Sequence, residues 1–441
     1  MSLRRKQAGK TAGSRMNTRG QGKDSLRRAV IVFVIVGSLG FPGNYTKIFG
    51  EIFGTAVEYL SFGLQLAAMV FLGREYNGVL ELTLIDLKGK YGGIYFMALV
   101  FFFDSMLVSH SPQEQLITCL RFTVTVFFAL WIVDHYGGEE ILEMVSTAQG
   151  IFVGLTILLF IFRPDLVFAS EVSERDFVGL FATKNNAAAE LSCGILLQMG
   201  LYQIKKQKGK AVSRGFLILL LIQGVLLVLC NALGPIVCAV VPGIYLFLAG
   251  GSMEGSRRLP LGIFYIAGSV GFLVLALTVL PVFEPVFRAF GKDASLTGRI
   301  PLWRQIIRVM TENHTFTGFG YGMFWRDRSA VALIHTAFSS NSFMGSMTTG
   351  AHNMILELWM NVGLFGVGAF FLAILSSTSR TRQIEAERYI PGAAYLLWFM
   401  LFGLTERAIS PYQYHTLFLI ISLGILSEAE GTKGRRTVIH G

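Results

Sequence analysis

GAHNMILELWMNVGLFGVGAF, residues 350–370, joins a membrane-like apolar run to polar groups. From Met354 onward it is long and apolar, yet it opens on Ala351-His352-Asn353 and carries Glu357 and Asn361 further in. A bilayer core is about 30 Å thick and takes about 20 apolar residues to cross as a helix. Asn353, Glu357 and Asn361 are four apart and so share one helix face, with His352 about 100° from Asn353. A polar stripe on such a helix is expected to face a cavity rather than lipid.

The rest of the chain reads the same way. Its 441 residues are 53% hydrophobic and 15% charged, where a soluble domain carries about a quarter charged residues. The fold class is therefore all-α, a polytopic membrane protein. Twelve spans are expected, near 29–48, 55–73, 93–110, 113–134, 141–162, 180–203, 215–232, 233–250, 260–282, 353–376, 390–405 and 411–427. This divides the chain into a basic tail (1–28), nine transmembrane helices (29–282), one large external loop (283–351), three further helices (352–427) and a second tail (428–441). Residues 1–28 hold nine Lys and Arg against one acid, Asp24. A basic arm also suits nucleic acid, but beside a membrane helix it reads as retention on the cytoplasmic side, and no nucleic-acid partner is expected. The run after Arg28 enters a span without a small-residue cleavage site, so no cleaved signal peptide is expected. Cys119, Cys193, Cys230 and Cys238 lie in apolar runs without ligand spacing, which argues for neither a disulfide framework nor a metal site.

Charge orients the spans. KKQKGK (205–210), GSRR (255–258), SRTRQIEAER (379–388) and KGRR (433–436) all fall on the side of the amino terminus in a twelve-span arrangement, as the excess of Lys and Arg in cytoplasmic loops requires. Both termini are then cytoplasmic. The acidic DHYGGEE (134–140) disagrees mildly, and acids count little in that rule. The external loop carries TGRIPLWRQIIRVM (297–310), whose Ile300, Trp303, Ile306, Ile307 and Met310 have the spacing of an amphipathic helix, before GFGYG (318–322) breaks the regularity.

Ionisable groups inside spans are costly and often functional. Asp104 falls in the third span, and Arg121 about 12 Å below the outer end of the fourth. Lys184, Asn185, Asn186 and Glu190 fall in the outer half of the sixth, and Glu406-Arg407 closes the eleventh. Ion pairs Asp104–Arg121 and Glu357–Arg407 would account for them structurally. Alternatively Arg121, Lys184, Arg299, Arg304 and Arg407 form an external ring of cations suited to an anionic headgroup, since a guanidinium matches phosphate oxygens bidentately. His352 reads either as a cap or helix contact, or as a general base at the membrane surface. His110, at another outer helix end, is its rival; His314 and His335 lack intramembrane companions.

His352-Asn353, nine residues, Gly363, two more and Gly366 resemble the signature of bacterial O-antigen ligases and the related O-antigen and exopolysaccharide polymerases. LTGRIPLWRQIIRVMTENHTFTGFGYGMFW (296–325) resembles their large periplasmic loop, in which Gly-Arg-x-x-x-Trp precedes Gly-x-Gly-x-x-x-Phe, and GLFATKNNAAAEL (179–191) resembles their Gly-x-Phe…Lys-Asn element. The resemblance runs from about residue 95 onward. It implies a GT-C-like, metal-independent, inverting glycosyltransferase of the bacterial inner membrane, without cofactors, whose active site faces the periplasm. The implied donor is an oligosaccharide on undecaprenyl pyrophosphate, and the acceptor a glycan or lipid A–core. Carried over by position, His352 is the base and Arg299 the leading pyrophosphate ligand, followed by Arg304 and Lys184. CNALGPIVC (230–238) departs from the family's Ser-rich stretch with a basic residue, and Arg121 or Arg407 would substitute. Asn353, Glu357, Asn185 and Glu406 are the supporting residues. Membrane lipids, a chain-length regulator and export proteins are the expected partners. GFGYGMFW (318–325) resembles polymerases of the succinoglycan type more than ligases.

Two other classes stay open. A flippase or other secondary transporter would explain the spans and buried charges, but is expected to show related halves, and none are visible. A scaffold subunit of an export complex would use the polar stripe only as a helix contact.

Overall fold

The computed structural model describes residues 24–38, 62–72, 87–168, 176–181, 183–249, 258–285, 295–296, 298–335, 338, 350–407, 409 and 414–427. The tails 1–23 and 428–441 with KGRR, most of GSRR, and parts of the first two spans and of the 283–351 segment lie outside them. Among the described residues every regular element is a helix: α1 (24–38), α2 (Phe62–Leu72), α3 (Gly92–Val108), α4 (Pro112–His135), α5 (Gly138–Phe162), α6 (Lys184–Gln207), α7 (Arg214–Leu229), α8 (Leu233–Ala249), α9 (Leu261–Thr278), α10 (Arg299–Asn313), α11 (Arg328–His335), α12 (Met354–Thr378), α13 (Ala386–Gly403) and α14 (Tyr414–Ser427). The described part of each apolar run expected to span lies largely in one of these helices, and α10 and α11 come from the 283–351 segment. Four of them, α4, α5, α9 and α12, are long and apolar enough to cross a membrane by length and composition.

Local chemistry starts the helices where it should. Pro112 opens α4, where its missing N–H costs nothing. The side chains of Thr183, Ser213 and Asn353 accept hydrogen bonds from Asn186, Phe216 and Leu356 N–H at the starts of α6, α7 and α12. At the middle of the bundle, α12 packs along α3, α9 and α14. A Cβ at Gly93 would stand 1.9 Å from Ser376 Oγ, so α3 and α12 approach as only glycine permits.

One end of the bundle is tied by charge. Lys208 and Lys210 each reach Glu139 at 2.6 Å, Lys208 also reaches Glu387 at 2.6 Å, and Lys205 reaches Glu143 at 2.9 Å. Arg28 meets Glu140, and Lys90 meets Asp134. Arg258 donates to the carbonyls of Thr381 and Ile384 at 2.7 and 2.5 Å. The described parts of KKQKGK, GSRR and SRTRQIEAER therefore meet at one end, and the acids of DHYGGEE, which sat awkwardly in that scheme, are counter-ions there.

The sharpest departure from regularity lies in α12. Val362 (φ −133°) and Gly363 (φ +61°) leave helical geometry and interrupt the ladder about 12 Å in. In an unbroken helix Leu364 and Phe365 N–H would donate to the Met360 and Asn361 carbonyls. Here those carbonyls accept from Phe319 and Gly320 N–H, both at 2.9 Å, and the freed N–H groups donate to Thr315 and Phe316 O, both at 3.2 Å. Residues 315–320, which run into GFGYG, thus enter the break and re-pair all four groups. Glycine is required on both sides: a Cβ would lie 2.1 Å from Phe316 O at Gly363 and 2.2 Å from Asn361 O at Gly318.

Gly363→Ala combines that clash with an essentially glycine-only backbone conformation (φ +61°, ψ −174°) that costs other residues about 1–3 kcal/mol. It is expected to lower the thermal unfolding midpoint in detergent and open 315–322 to protease. Gly368→Ala, whose Cβ meets nothing within 4 Å, is expected to change neither. An intact protease pattern in Gly363→Ala would show that the loop does not depend on the break.

Candidate functional site

The segment that docks into α12 brings its own apolar core. Ile300, Trp303, Ile306 and Met310 are buried as the amphipathic spacing predicts, Ile307 is half-buried, and Leu302 and Val309 join them. Phe319, Phe324, Ala330 and Ile334 from the following turns pack on the same cluster, against Leu356 and Met360 of α12. Tyr321 is held on the other side by Phe101 and Phe122, at ring-centroid distances of 5.1 and 4.9 Å.

The polar stripe of α12 serves this docking. Glu357 accepts from Trp325 Nε1 at 3.0 Å and from Ala351 N–H at 2.8 Å. Asn361 accepts from Gly322 N–H at 3.0 Å and donates to Glu357 O at 2.7 Å. Both side chains are buried. The stripe faces the returning loop instead of a cavity, because a broken helix needs acceptors for a loop rich in free N–H groups. Asp104 works alike, accepting from Gly318 N–H at 3.4 Å. Neutral donors hold these carboxylates where ion pairs with Arg121 and Arg407 were one expectation.

Three sequence-distant residues then meet. Trp303 Nε1 donates to Ala351 O at 2.8 Å, so Ala351 is gripped at its carbonyl by Trp303 and at its N–H by Glu357. His352 follows in the left-handed region at φ +48°, a conformation that costs a non-glycine residue about 1–3 kcal/mol and persists only when neighbours impose it. Asn353 caps α12 and donates Nδ2 to Leu404 O at 3.1 Å, tying α12 to the end of α13. Beyond that end, Glu406 Oε2 lies 3.0 Å from His352 Nδ1 and Glu406 Oε1 accepts from Arg299 Nη2 at 2.8 Å. An ionised carboxylate only accepts, so a neutral imidazole in this contact carries its hydrogen on Nδ1 and the lone pair on Nε2. The His352, Arg299 and Glu406 side chains are 33%, 23% and 17% exposed, neither sealed nor fully solvated. Arg299 stands in the first turn of α10, the end where the helix dipole opposes a cation. Glu406 offsets that placement.

Other candidates sit apart. Arg407 is exposed, its Cδ beside Gly350. Arg304 points off the Arg299–Trp303 face and donates to Leu277 O at 3.3 Å. Lys184 pairs with Asp176 at 3.2 Å, and Asn185 is exposed next to it. Arg121 is buried, its guanidinium 5.6 Å from the Phe62 ring centroid. His110, the rival base, is exposed and lies 3.5 Å from Asp327. Hydrogen bonds from the Ser329 side chain hold Asp327 below the usual carboxylate range, and burial lowers His314, which stacks on Phe319. Trp303, Trp325 and Ala351 were not singled out from sequence as positioning groups; the i, i+4 spacing of Arg299 and Trp303 was the available signal.

Comparison with known proteins fits this geometry. A family model described as O-Antigen ligase matches residues 215–371, a segment running from α7 through the docked loop to the break in α12. The exopolysaccharide production protein ExoQ of Rhizobium meliloti (strain 1021) is 25% identical over 412 residues, covering 88% of this chain and 90% of the relative. Both bear out the resemblance to the O-antigen ligase and polymerase family, and with the apolar helices they mark a multi-pass membrane protein.

A double-mutant cycle of Arg299→Ala and Glu406→Ala tests the bridge. Unfolding in detergent is expected to show a coupling of about 0.5–3 kcal/mol between the two changes. Strict additivity would mean that the pair is not formed in the folded protein.

Proposed function

We propose that the chain is a membrane-embedded, inverting glycosyltransferase that polymerises an exopolysaccharide. It transfers glycan from undecaprenyl pyrophosphate to a sugar hydroxyl of an acceptor glycan. The observation that carries this reading is the single carboxylate of Glu406 shared by an imidazole and a guanidinium. A glycosyl pyrophosphate already has a good leaving group, so the reaction needs a base for the incoming hydroxyl, positive charge for the departing pyrophosphate, and alignment of the two. His352 Nε2 takes the proton of the acceptor hydroxyl as its oxygen attacks the anomeric carbon. The bond from that carbon to the pyrophosphate oxygen breaks, configuration inverts, and the leaving group takes the electron pair. Arg299 stabilises that charge without a metal ion or other cofactor, with Arg304, Lys184, Arg121 and Arg407 as further cations along the lipid-linked donor.

The gathering of basic segments at the end opposite His352 supports a cytoplasmic placement of that end and of both termini, which puts the site at the periplasmic face of the inner membrane. It also supports twelve spans, with 283–351 as the periplasmic loop. The name of the Rhizobium relative supports an exopolysaccharide product and a polymerase. The family description supports a second reading, ligation to lipid A–core. A chain-length regulator and export proteins are the partners a polymerase would work with.

His352→Ala is expected to leave abundance and membrane insertion unchanged while high-molecular-weight polysaccharide disappears; wild-type polymer length at matched protein level would remove the base assignment. Arg299→Ala is expected to weaken donor handling, with Arg299→Lys rescuing little because a lysine ammonium cannot form the two-pronged grip. Purified protein given undecaprenyl-pyrophosphate repeat units, with either a second repeat unit or lipid A–core as acceptor, separates polymerase from ligase. Activity with neither acceptor would overturn both readings.

A further inference from the structure

Glu406 has one carboxylate and two claimants. Its contact with Arg299 is single-pronged, through Nη2 alone, whereas a guanidinium facing a carboxylate squarely gives two parallel hydrogen bonds. The other oxygen accepts from His352 Nδ1–H. While Arg299 is paired this way, its positive charge cancels much of the field that Glu406 would otherwise exert on the imidazole.

Resting on the proposed transferase reading, we infer that Glu406 is a positioning residue that couples donor binding to the strength of the base. The pyrophosphate of the donor, which carries more negative charge than a carboxylate, draws the Arg299 guanidinium off Glu406. The carboxylate is then left to His352 alone, where it holds Nδ1–H, keeps Nε2 aimed at the acceptor hydroxyl, and stabilises the imidazolium that forms as the proton arrives. No covalent bond changes in this exchange; one charge-assisted hydrogen bond is traded for another. The base is thus at full strength only when the leaving group is in place, which disfavours deprotonating an acceptor with no donor present.

Among the described residues, the charged and titratable groups near this cluster include Arg407, Glu357 and Cys238. Arg407 lies beside Gly350, just before the Ala351 that leads into His352. Glu357 accepts from Ala351 N–H. Cys238 of α8 is within electrostatic range of Glu406. Among the described residues, the Glu406 carboxylate is hydrogen-bonded to His352 and Arg299 and not to Arg407 or Glu357.

Glu406→Gln keeps the shape and an acceptor oxygen for Nδ1–H but removes the charge. Three readouts are expected to move together in the purified full-length protein. Undecaprenyl pyrophosphate, titrated by tryptophan fluorescence, is expected to bind about 5-fold tighter, because Arg299 no longer has a competing anion. The turnover number with repeat units is expected to fall about 10–100-fold. The acidic limb of the kcat profile is expected to move to lower pH, since an imidazolium beside a neutral amide loses its proton more readily. Glu406→Asp is expected to recover part of kcat and return the limb toward its wild-type position. Weaker undecaprenyl pyrophosphate binding in Glu406→Gln would overturn the inference by showing that Glu406 presents Arg299 to the donor instead of withholding it. A fall in kcat with an unmoved pH limb would overturn it too, leaving a purely structural residue. If the wild type transfers nothing, or His352→Ala remains active, the transferase reading itself has failed; a wild-type Glu406→Gln beside an inactive His352→Ala defeats the coupling alone.

Discussion

An unpaired peptide group inside a membrane helix costs several kcal/mol, and α12 interrupts its own ladder at Val362–Gly363. That constraint organises everything above it. Two carbonyls and two N–H groups are released, and the chain satisfies them with 315–320, a segment more than 40 residues earlier. Because the docked segment is continuous with α10, the repair also fixes where α10 lies. Trp303 then reaches Ala351, Arg299 reaches Glu406, and His352 is left between them.

The polar residues at the start of α12 and around its break are therefore of two kinds. Asp104, Glu357 and Asn361 accept hydrogen bonds from loop N–H groups or an indole, and they are buried because the loop covers them. His352, Arg299 and Glu406 stay partly exposed and use charge. The first kind builds the platform, and the second kind sits on it. The distinction matters for mutagenesis: loss of a group of the first kind exposes unpaired donors and acts on folding, whereas a change of the second kind acts on the chemistry proposed for the site.

Charge performs a different task at the opposite end. There lysines and arginines of separate loops share glutamates, with Glu139 accepting from both Lys208 and Lys210. The more exposed of these ion pairs are each worth little, typically under about 1 kcal/mol. The acids among them explain how DHYGGEE belongs with basic neighbours.

Helix identity in the described parts of the apolar runs and the amphipathic face of α10 were legible in the residues themselves, because hydrophobicity and helical period are local properties. The His352-Asn353 start and the paired glycines at 363 and 366 were legible as a resemblance, and Arg299 and His352 as candidates. What local pattern does not contain is the purpose of those features. Gly363 reads as a permissible small residue until Phe316 O is found where its Cβ would be, and Glu357 reads as a cavity carboxylate until Trp325 is found on it. Glu406 read as a helix-end charge beside Arg407, since nothing in its neighbours says that residues 299 and 352 will share it. Such pairings are decided by backbone groups that one segment lacks and another supplies, and only the folded chain brings the two together.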